Sequence, residues 1–499
     1  MRSAGVAPGE DNKIKRLFVC CDGTWNAPTD VHDGVPVPTN VVRYYNALAE
    51  GDVGGGVEQR RYYHPGVGTE EVLNIERIWA GITGSGLTRN IKSAYAWLSA
   101  NYEPGDEIHL LGFSRGAFTA RALSGLIASQ GVPVAQPDDE GAPAPDWALI
   151  DEAYKQCSKH HPRDRNDARF KFPPIHFIGV WDTVGALGIP PEFPRLPLIF
   201  AFLQPRFHDT ELAPIVTHAY HALALDEARR TFSPTLWTKR APSNKEVVQM
   251  WFTGVHADVG GGYRETGLSD IALTWMIERA QLLGVAFRQH MLDQIKGDAR
   301  GVRHDSLQGV FANAFAQPRR IPDLDPLGTP GPHGQEIHNS VQERQGRPPI
   351  FQAPYRDLAR LAPGQQRSFP VFAHDKWNWT GLHVEPLEEY EITARGEWMH
   401  WFVRLGAAGC GFLGWLVPRR FWSAPWMSLV GAVADFANPD QQGQIQQLEM
   451  FRVGRAARIV LDPNGLGALW GYLYFFANDS EGGFKVNRGS LRVTVKRIK

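Results

Sequence analysis

Four near-continuous apolar runs punctuate the first 260 residues, and each stops at a polar or glycine-rich step. Ile14–Cys21 (IKRLFVCC) ends at Asp22-Gly23-Thr24, residues 108–113 at Ser114, Ile175–Trp181 at Asp182, and 247–255 at His256. Runs of this length suit strands buried on both faces of a parallel sheet. Ligands of such sheets bind beyond the carboxyl ends of the strands, which is where these polar groups fall. Residues 117–127 are helix-compatible, and in 218–230 the apolar positions repeat at helical spacing, which predicts a second helix carrying His218 and His221.

Gly112-Phe113-Ser114-Arg115-Gly116 joins a predicted strand to a predicted helix. A serine on so tight a turn needs glycines two positions either side, because side chains there would collide with neighbouring backbone. The turn exposes the Ser114 hydroxyl, and the following helix aims unpaired amides at any negative charge that grows beside it. Ser114, Asp182 and His256 follow in the chain order nucleophile, acid, base of an α/β hydrolase. His256 would take the serine proton, and Asp182 would hold the imidazole in the right tautomer. The amides of Arg115 and of Gly23 or Thr24 would bind the oxyanion. His221 competes for the role of base, with a satisfied core histidine as its plainer reading. Asp22 is expected to accept backbone amides and shape its turn, and Asp258 to cap the next turn or hold a cation, so both support the site from behind. For Gly260 to Gly262 the plain reading is a flexible turn.

The same residues carry a resemblance. CCDGTWN (20–26), PTNV (38–41), YHPGVGT (63–69), GFSRGA with TARAL after it, GVWDTVGALG (179–188), LDEARRTFSP (225–234) and WFTGVHADVGGGY (251–263) follow in order. Together they resemble the α/β hydrolase domain family that includes the first class of type VI secretion phospholipase effectors, over roughly residues 14 to 345. The resemblance implies an acyl hydrolase acting on glycerophospholipids. It places Ser114 in the nucleophile motif, Asp182 in WDTVG and His256 in GVHADVGGGY.

Charge narrows the partners. With 499 residues, 52 Lys and Arg against 53 Asp and Glu, and a net charge of −1, the chain has no electrostatic case for nucleic acid. Four cysteines, two of them adjacent at Cys20 and Cys21, make no disulfide framework. The amino terminus, MRSAGVAPGEDNKIKR, lacks the apolar core of a secretory signal. Residues 136–146 and 318–334 read as surface loops.

After about residue 364 the pattern changes to alternation. Residues 390–398 and 491–498 alternate apolar and polar positions, 472–476 is a further strand candidate, and turn clusters lie at 462–465 and 478–483. A small β-sandwich is expected. KWNWTGLHVE, YEITARGEW, YLYFFANDSEGGFKVNRGS and LRVTVKRI resemble the PA-I type of calcium-dependent galactophilic lectin, over roughly 368 to 499. That resemblance implies a calcium site at Asp479 and Asn487, although Val486 stands where a second asparagine belongs. Residues 398–436 are dense in Trp, Phe, Leu and Gly. Their most apolar part is too short for a bilayer span of about 20 residues. It reads as a hairpin packed on the hydrolase domain, or as an insertion lying on lipid with Arg419 and Arg420 at the headgroups.

The expected fold is α/β, a hydrolase-like, mostly parallel sheet at 1–364 followed by an all-β sandwich at 365–499. The expected function is a serine acyl hydrolase of phospholipase A type acting through Ser114, His256 and Asp182. The alternatives are a soluble carboxylesterase and a glycan-binding protein with an inert hydrolase scaffold. No cofactor is expected, with calcium the alternative. Expected partners are a lipid or membrane-surface substrate, a secretion apparatus and an immunity protein. The chain is expected in the cytoplasm as made, without a signal peptide, and exported by a signal-independent system.

Overall fold

A computed structural model describes residues 13–23, 31–32, 35–66, 84–184, 211–227, 229, 232–306, 319, 334–352, 360–375, 377–411, 417–434, 448–460, 471–480 and 483–499. Thr24 lies outside the described residues, as does nearly all of the loop at 318–334. The chain divides into two units, the first built from 1–225, 231–304 and 330–341, the second from 226–230, 305–329 and 342–499.

Eight strands among the described residues form the sheet of the first unit. They are β1 (Ile14–Cys21), β2 (Gly51–Gly54), β3 (Val57–His64), β4 (Glu107–Phe113), β5 (Ile175–Trp181), β6 (Val216–Ala224), β7 (Glu246–Phe252) and β8 (Gln335–Ile337), in the order β8-β7-β6-β5-β4-β1-β3-β2. The pairings are parallel, except that the edge strand β2 runs antiparallel to β3. Successive side chains of β1 take opposite sides. Leu17, Val19 and Cys21 join a core with the helices α2 (Gly84–Asn101), α3 (Arg115–Gln130) and α4 (Trp147–Ser158). Phe18 and Cys20 join another with α1 (Asn40–Ala47) and α6 (Gly267–Gln281), the short α5 (His256–Gly260) lying between β7 and α6 in the chain. Burial on both faces explains the near-continuous apolar runs.

The predicted helix at 218–230 is a correction. Residues 216–224 are strand β6, hydrogen-bonded between β5 and β7. A central strand covered on both sides needs no alternation, so its apolar positions fall at a spacing that mimics a helical face. Residues 136–137 and 143–144 pair as the two sides of an exposed turn.

The second unit holds antiparallel strands β9 (Gln366–Phe372), β10 (Asn378–Val384), β11 (Glu389–His400), β12 (Val403–Gly406), β13 (Leu429–Ala434), β14 (Leu448–Arg452), β15 (Ala456–Val460), β16 (Gly471–Ala477) and β17 (Asn487–Arg497). One sheet runs β9-β17-β11-β12 with β15 on β11, the other β10-β16-β13-β14. Val371, Ile392, Trp398 and Val493 of the first share one apolar cluster with Leu382, Leu429 and Phe475 of the second. Arg419 is buried, donating to the carbonyls of Val417 and Trp422 at 3.0 and 3.1 Å, and Arg420 stacks on Trp377 at 4.1 Å. No helix among the described residues is long and apolar enough to cross a membrane.

Candidate active site

Ser114 sits between β4 and α3 with φ 57° and ψ −120°, a left-handed backbone that side chains rarely adopt. Close packing creates this elbow. A Cβ on Gly116 would press into the Cys21 carbonyl at the end of β1, and one on Gly112 into the Gly116 carbonyl. The Ser114 amide donates to the Trp181 carbonyl at 3.0 Å, which ties the elbow to the end of β5.

Asp182 follows immediately on β5 and also has a positive φ, 40°. It is fully buried and fixed by hydrogen bonds. Its amide donates to the Ala222 carbonyl at 2.7 Å, and its Oδ1 accepts the Ala224 amide at 3.0 Å. Oδ2 meets His256 Nδ1 at 2.6 Å. His256 begins α5, and its ring packs against Phe113 and Phe232 with centroids 4.6 and 4.9 Å away. Phe113 precedes Ser114, so the imidazole is held against the serine's own turn. A Cβ on Gly260 would strike the Phe113 ring, and one on Gly261, at φ 82°, would crowd the Asn40 amide. Close packing therefore accounts for these two glycines.

His221 faces a different task. It is fully buried on β6, and its Nε2 accepts the Thr183 amide at 3.1 Å, bracing the turn that carries Asp182. The nitrogen bound to Thr183 is an acceptor, which sets this ring's tautomer.

Of the residues suggested for the oxyanion, Arg115 supplies the first amide of α3, one of those with no partner inside a helix. The Gly23 amide donates to Asp22 Oδ1 at 2.7 Å. Asp22 Oδ2 accepts from Thr39 Oγ1 at 2.7 Å and Tyr63 Oη at 2.8 Å, so this carboxylate organises the loop after β1. Next to Thr39, Asn40 Nδ2 donates to the carbonyls of Val259 and Ser269, each at 2.9 Å, joining α1 to the end of α5.

Asp258 Oδ2 accepts the Val255 amide and the His304 amide, each at 3.0 Å, while Oδ1 meets His304 Nδ1 at 2.6 Å. Tyr263 stacks on the His304 ring at 3.7 Å, and Glu265 lies 3.4 Å from its Nε2. Burial pulls the imidazole down, but the two carboxylates outweigh it and raise its pKa above the ordinary value. His304 lies in no motif, and nothing local marks it in the sequence. Thr39, Asn40 and Tyr63 stand in the motifs, where local pattern gives them no role.

In the second unit, Asp479 and Asn487 are both buried. Their oxygens converge on a side chain of the protein: His400 Nδ1 lies 3.1 Å from Asp479 Oδ2 and 2.7 Å from Asn487 Oδ1. Asp479 Oδ1 accepts from Trp426 Nε1 at 2.8 Å and the Ser480 amide at 2.7 Å. A hard cation wants six to eight oxygens. This donor set does not fit calcium, because a ring nitrogen occupies the space between the two oxygens.

A curated relative from Saccharomyces cerevisiae (strain ATCC 204508 / S288c), the uncharacterized protein YEL023C, is 29% identical over 246 residues, 45% of this chain and 33% of the relative. The chain thus spans about a third of that relative's length. Among solved structures, the Tle1 effector bound to the VgrG spike from the type 6 secretion system aligns at 17% identity over 51% of this chain and 52% of the other, with a TM-score of 0.29. The EclA N-terminal domain, a PllA-like lectin, aligns at 21% identity over 26% of this chain and 94% of the other, with a TM-score of 0.17. Residues 15–279, just over half of the chain, match the family described as T6SS, phospholipase effector Tle1-like, catalytic domain, and the chain belongs to that family.

Proposed function

We propose that the protein is a serine ester hydrolase of phospholipase A type, with Ser114 as nucleophile, His256 as base and Asp182 as its orienting carboxylate. The observation that carries this reading is the 2.6 Å contact between Asp182 Oδ2 and His256 Nδ1, made beside the turn that strains Ser114. With Nδ1–H donated to Asp182, Nε2 is left as the acceptor for the Ser114 proton. The serine oxygen then attacks the ester carbonyl, and the oxyanion takes the Arg115 amide. The imidazolium returns its proton to the leaving alcohol, and water repeats the sequence to release the fatty acid and free the serine. The Gly23 amide would join the oxyanion site only by leaving Asp22.

Family membership supports a phospholipid substrate and a route through a type VI secretion apparatus; an immunity protein guarding the producer is part of the same proposal. The antiparallel sheets of the second unit, closed over one apolar cluster, are read as a β-sandwich of lectin type. The test is mass spectrometry of a phospholipid extract treated with wild type and with Ser114→Ala, alongside labelling by a fluorophosphonate. Release of fatty acid and lysolipid by wild type alone, with label on Ser114, is expected. Equal release by both proteins overturns the assignment, and activity confined to short soluble esters favours a carboxylesterase.

A further inference from the structure

The hairpin between β11 and β12 pairs His400 with Val403 and turns through only two residues, Trp401 and Phe402. Two-residue hairpin turns need left-handed backbone and are best filled by Asn-Gly. Trp401 accepts that conformation, at φ 55°, and is 54% exposed, while Phe402 is 84% exposed. Large aromatic side chains thus stand at a tip where neither backbone conformation nor water favours them. Backbone strain kept at an exposed position is a pointer to function.

A second segment brings another exposed ring to the same end of this unit. Trp422 is 64% exposed. Its neighbours are pinned at Asn478 and Asp479, where the Arg420 amide donates to the Asp479 carbonyl at 3.1 Å and the Phe421 amide to Asn478 Oδ1 at 2.8 Å. The hairpin is pinned there too, through His400 to Asp479 Oδ2.

Charge identifies the occupant. From Trp398 to Ala434 the sequence holds three arginines, at 404, 419 and 420, and neither Asp nor Glu. Arg404 is exposed on β12 two residues after the tip, and Arg419 stacks on the Trp422 ring at 4.6 Å. Exposed Trp and Phe beside the exposed Arg404, with no acid in the segment, match the boundary layer of an anionic bilayer, where rings enter among the acyl chains and a guanidinium meets phosphate, while the buried Arg419 serves to hold the Trp422 ring. A sugar is the poorer fit, because His400 already takes the oxygens of Asp479 and Asn487.

We infer that the Trp401-Phe402 tip, with Trp422 and Arg404, docks the second unit on an anionic phospholipid surface. The inference rests on the phospholipase reading for its purpose, since a lipase gains from dwelling where its substrate is presented.

The test is flotation of the full chain carrying Ser114→Ala, which spares the lipid, with vesicles of phosphatidylcholine alone or mixed with phosphatidylglycerol. The chain should float with the anionic vesicles and less so at high salt. Trp401→Ser combined with Phe402→Ser should weaken partition about tenfold. Trp422→Ser, in a different segment, should weaken it in the same direction, and unchanged circular dichroism should show that the variants fold. Equal flotation of parent and both variants overturns the inference, and so does release from vesicles by galactose, which would assign the tip to a glycan. With Ser114 intact, the tip variant should hydrolyse dissolved short-chain phosphatidylcholine at the wild-type rate. Absence of hydrolysis by the wild type, with the parent floating and the variants weakened as expected, would sink the enzymatic reading and leave the docking surface standing.

Discussion

Asp258 Oδ1 and His304 Nδ1 lie 2.6 Å apart, a second histidine–carboxylate pair two residues beyond His256. Through Oδ2 the same carboxylate caps the start of α5, so the pair holds the backbone on which His256 is mounted. His304→Phe keeps a ring for Tyr263 to stack on and removes the charge. It should cost about 2 kcal/mol in urea unfolding, the worth of a charge-assisted hydrogen bond. The folded imidazole binds its proton more tightly than the unfolded one. The pair's contribution is therefore complete below about pH 6.5 and lost as pH rises through the raised value. Wild type and variant should converge in stability at alkaline pH, and a constant gap would show that the carboxylates do not hold the proton.

The two candidate bases can be separated by substitution. His256→Ala and Asp182→Asn should each lower kcat by about 10⁴-fold, since one removes the base and the other its tautomer. His221→Gln retains an acceptor that can still reach the Thr183 amide, so it should lower the melting temperature while leaving kcat within about tenfold of wild type. Steady-state kinetics on one ester substrate decide the matter. A His221 variant as inactive as the His256 variant would contradict the assignment.

The elbow makes a steric prediction. A methyl group at residue 116 would enter the space of the Cys21 carbonyl, which belongs to the paired core of the sheet and cannot retreat. Gly116→Ala should cost about 3 kcal/mol or more, in the range of severe overpacking. Gly125→Ala on the same helix meets nothing within 4 Å among the described residues and should be neutral or slightly stabilising. Thermal melts of the two variants side by side test whether the elbow glycines are steric requirements, and equal melting temperatures would refute it.

Legibility in the sequence followed burial. Ile14–Cys21 and Ile175–Trp181 are strands with the bounds that their apolar runs suggest, because a strand covered on both faces ends where its apolar run ends. The same rule hid β6, whose buried Ala219, His221, Ala222 and Ala224 do not alternate and so leave a spacing that mimics a helical face. Asp182 and His256 could be paired because each follows a strand. His304 had no such marker, since it reaches Asp258 from 46 residues away. His400 was hidden likewise, for nothing local says that an imidazole would fill the space between Asp479 and Asn487. Contacts made by one loop residue with another depend on tertiary placement, and local pattern does not encode them.

Acid stability follows from His109. It is fully buried on β4 between Phe18 and Phe177, and among the described residues neither ring nitrogen has a partner within ordinary hydrogen-bond distance. Burial drives its pKa down to about 4, and the Glu107 carboxylate, 3.8 Å away, offsets only part of that cost. The folded protein thus holds this imidazole neutral at pH values where the unfolded chain protonates it. Its contribution is fully present above about pH 6.5 and declines as pH falls toward 4, a loss of about 3 kcal/mol by linkage. His109→Phe cannot take up a proton and should flatten the acid side of the stability profile. Urea unfolding of both proteins from pH 7 to 4 checks this. Parallel profiles would place the acid sensitivity elsewhere, with His338 on the far side of the sheet order the next group to replace, since burial takes its pKa to about 4 as well.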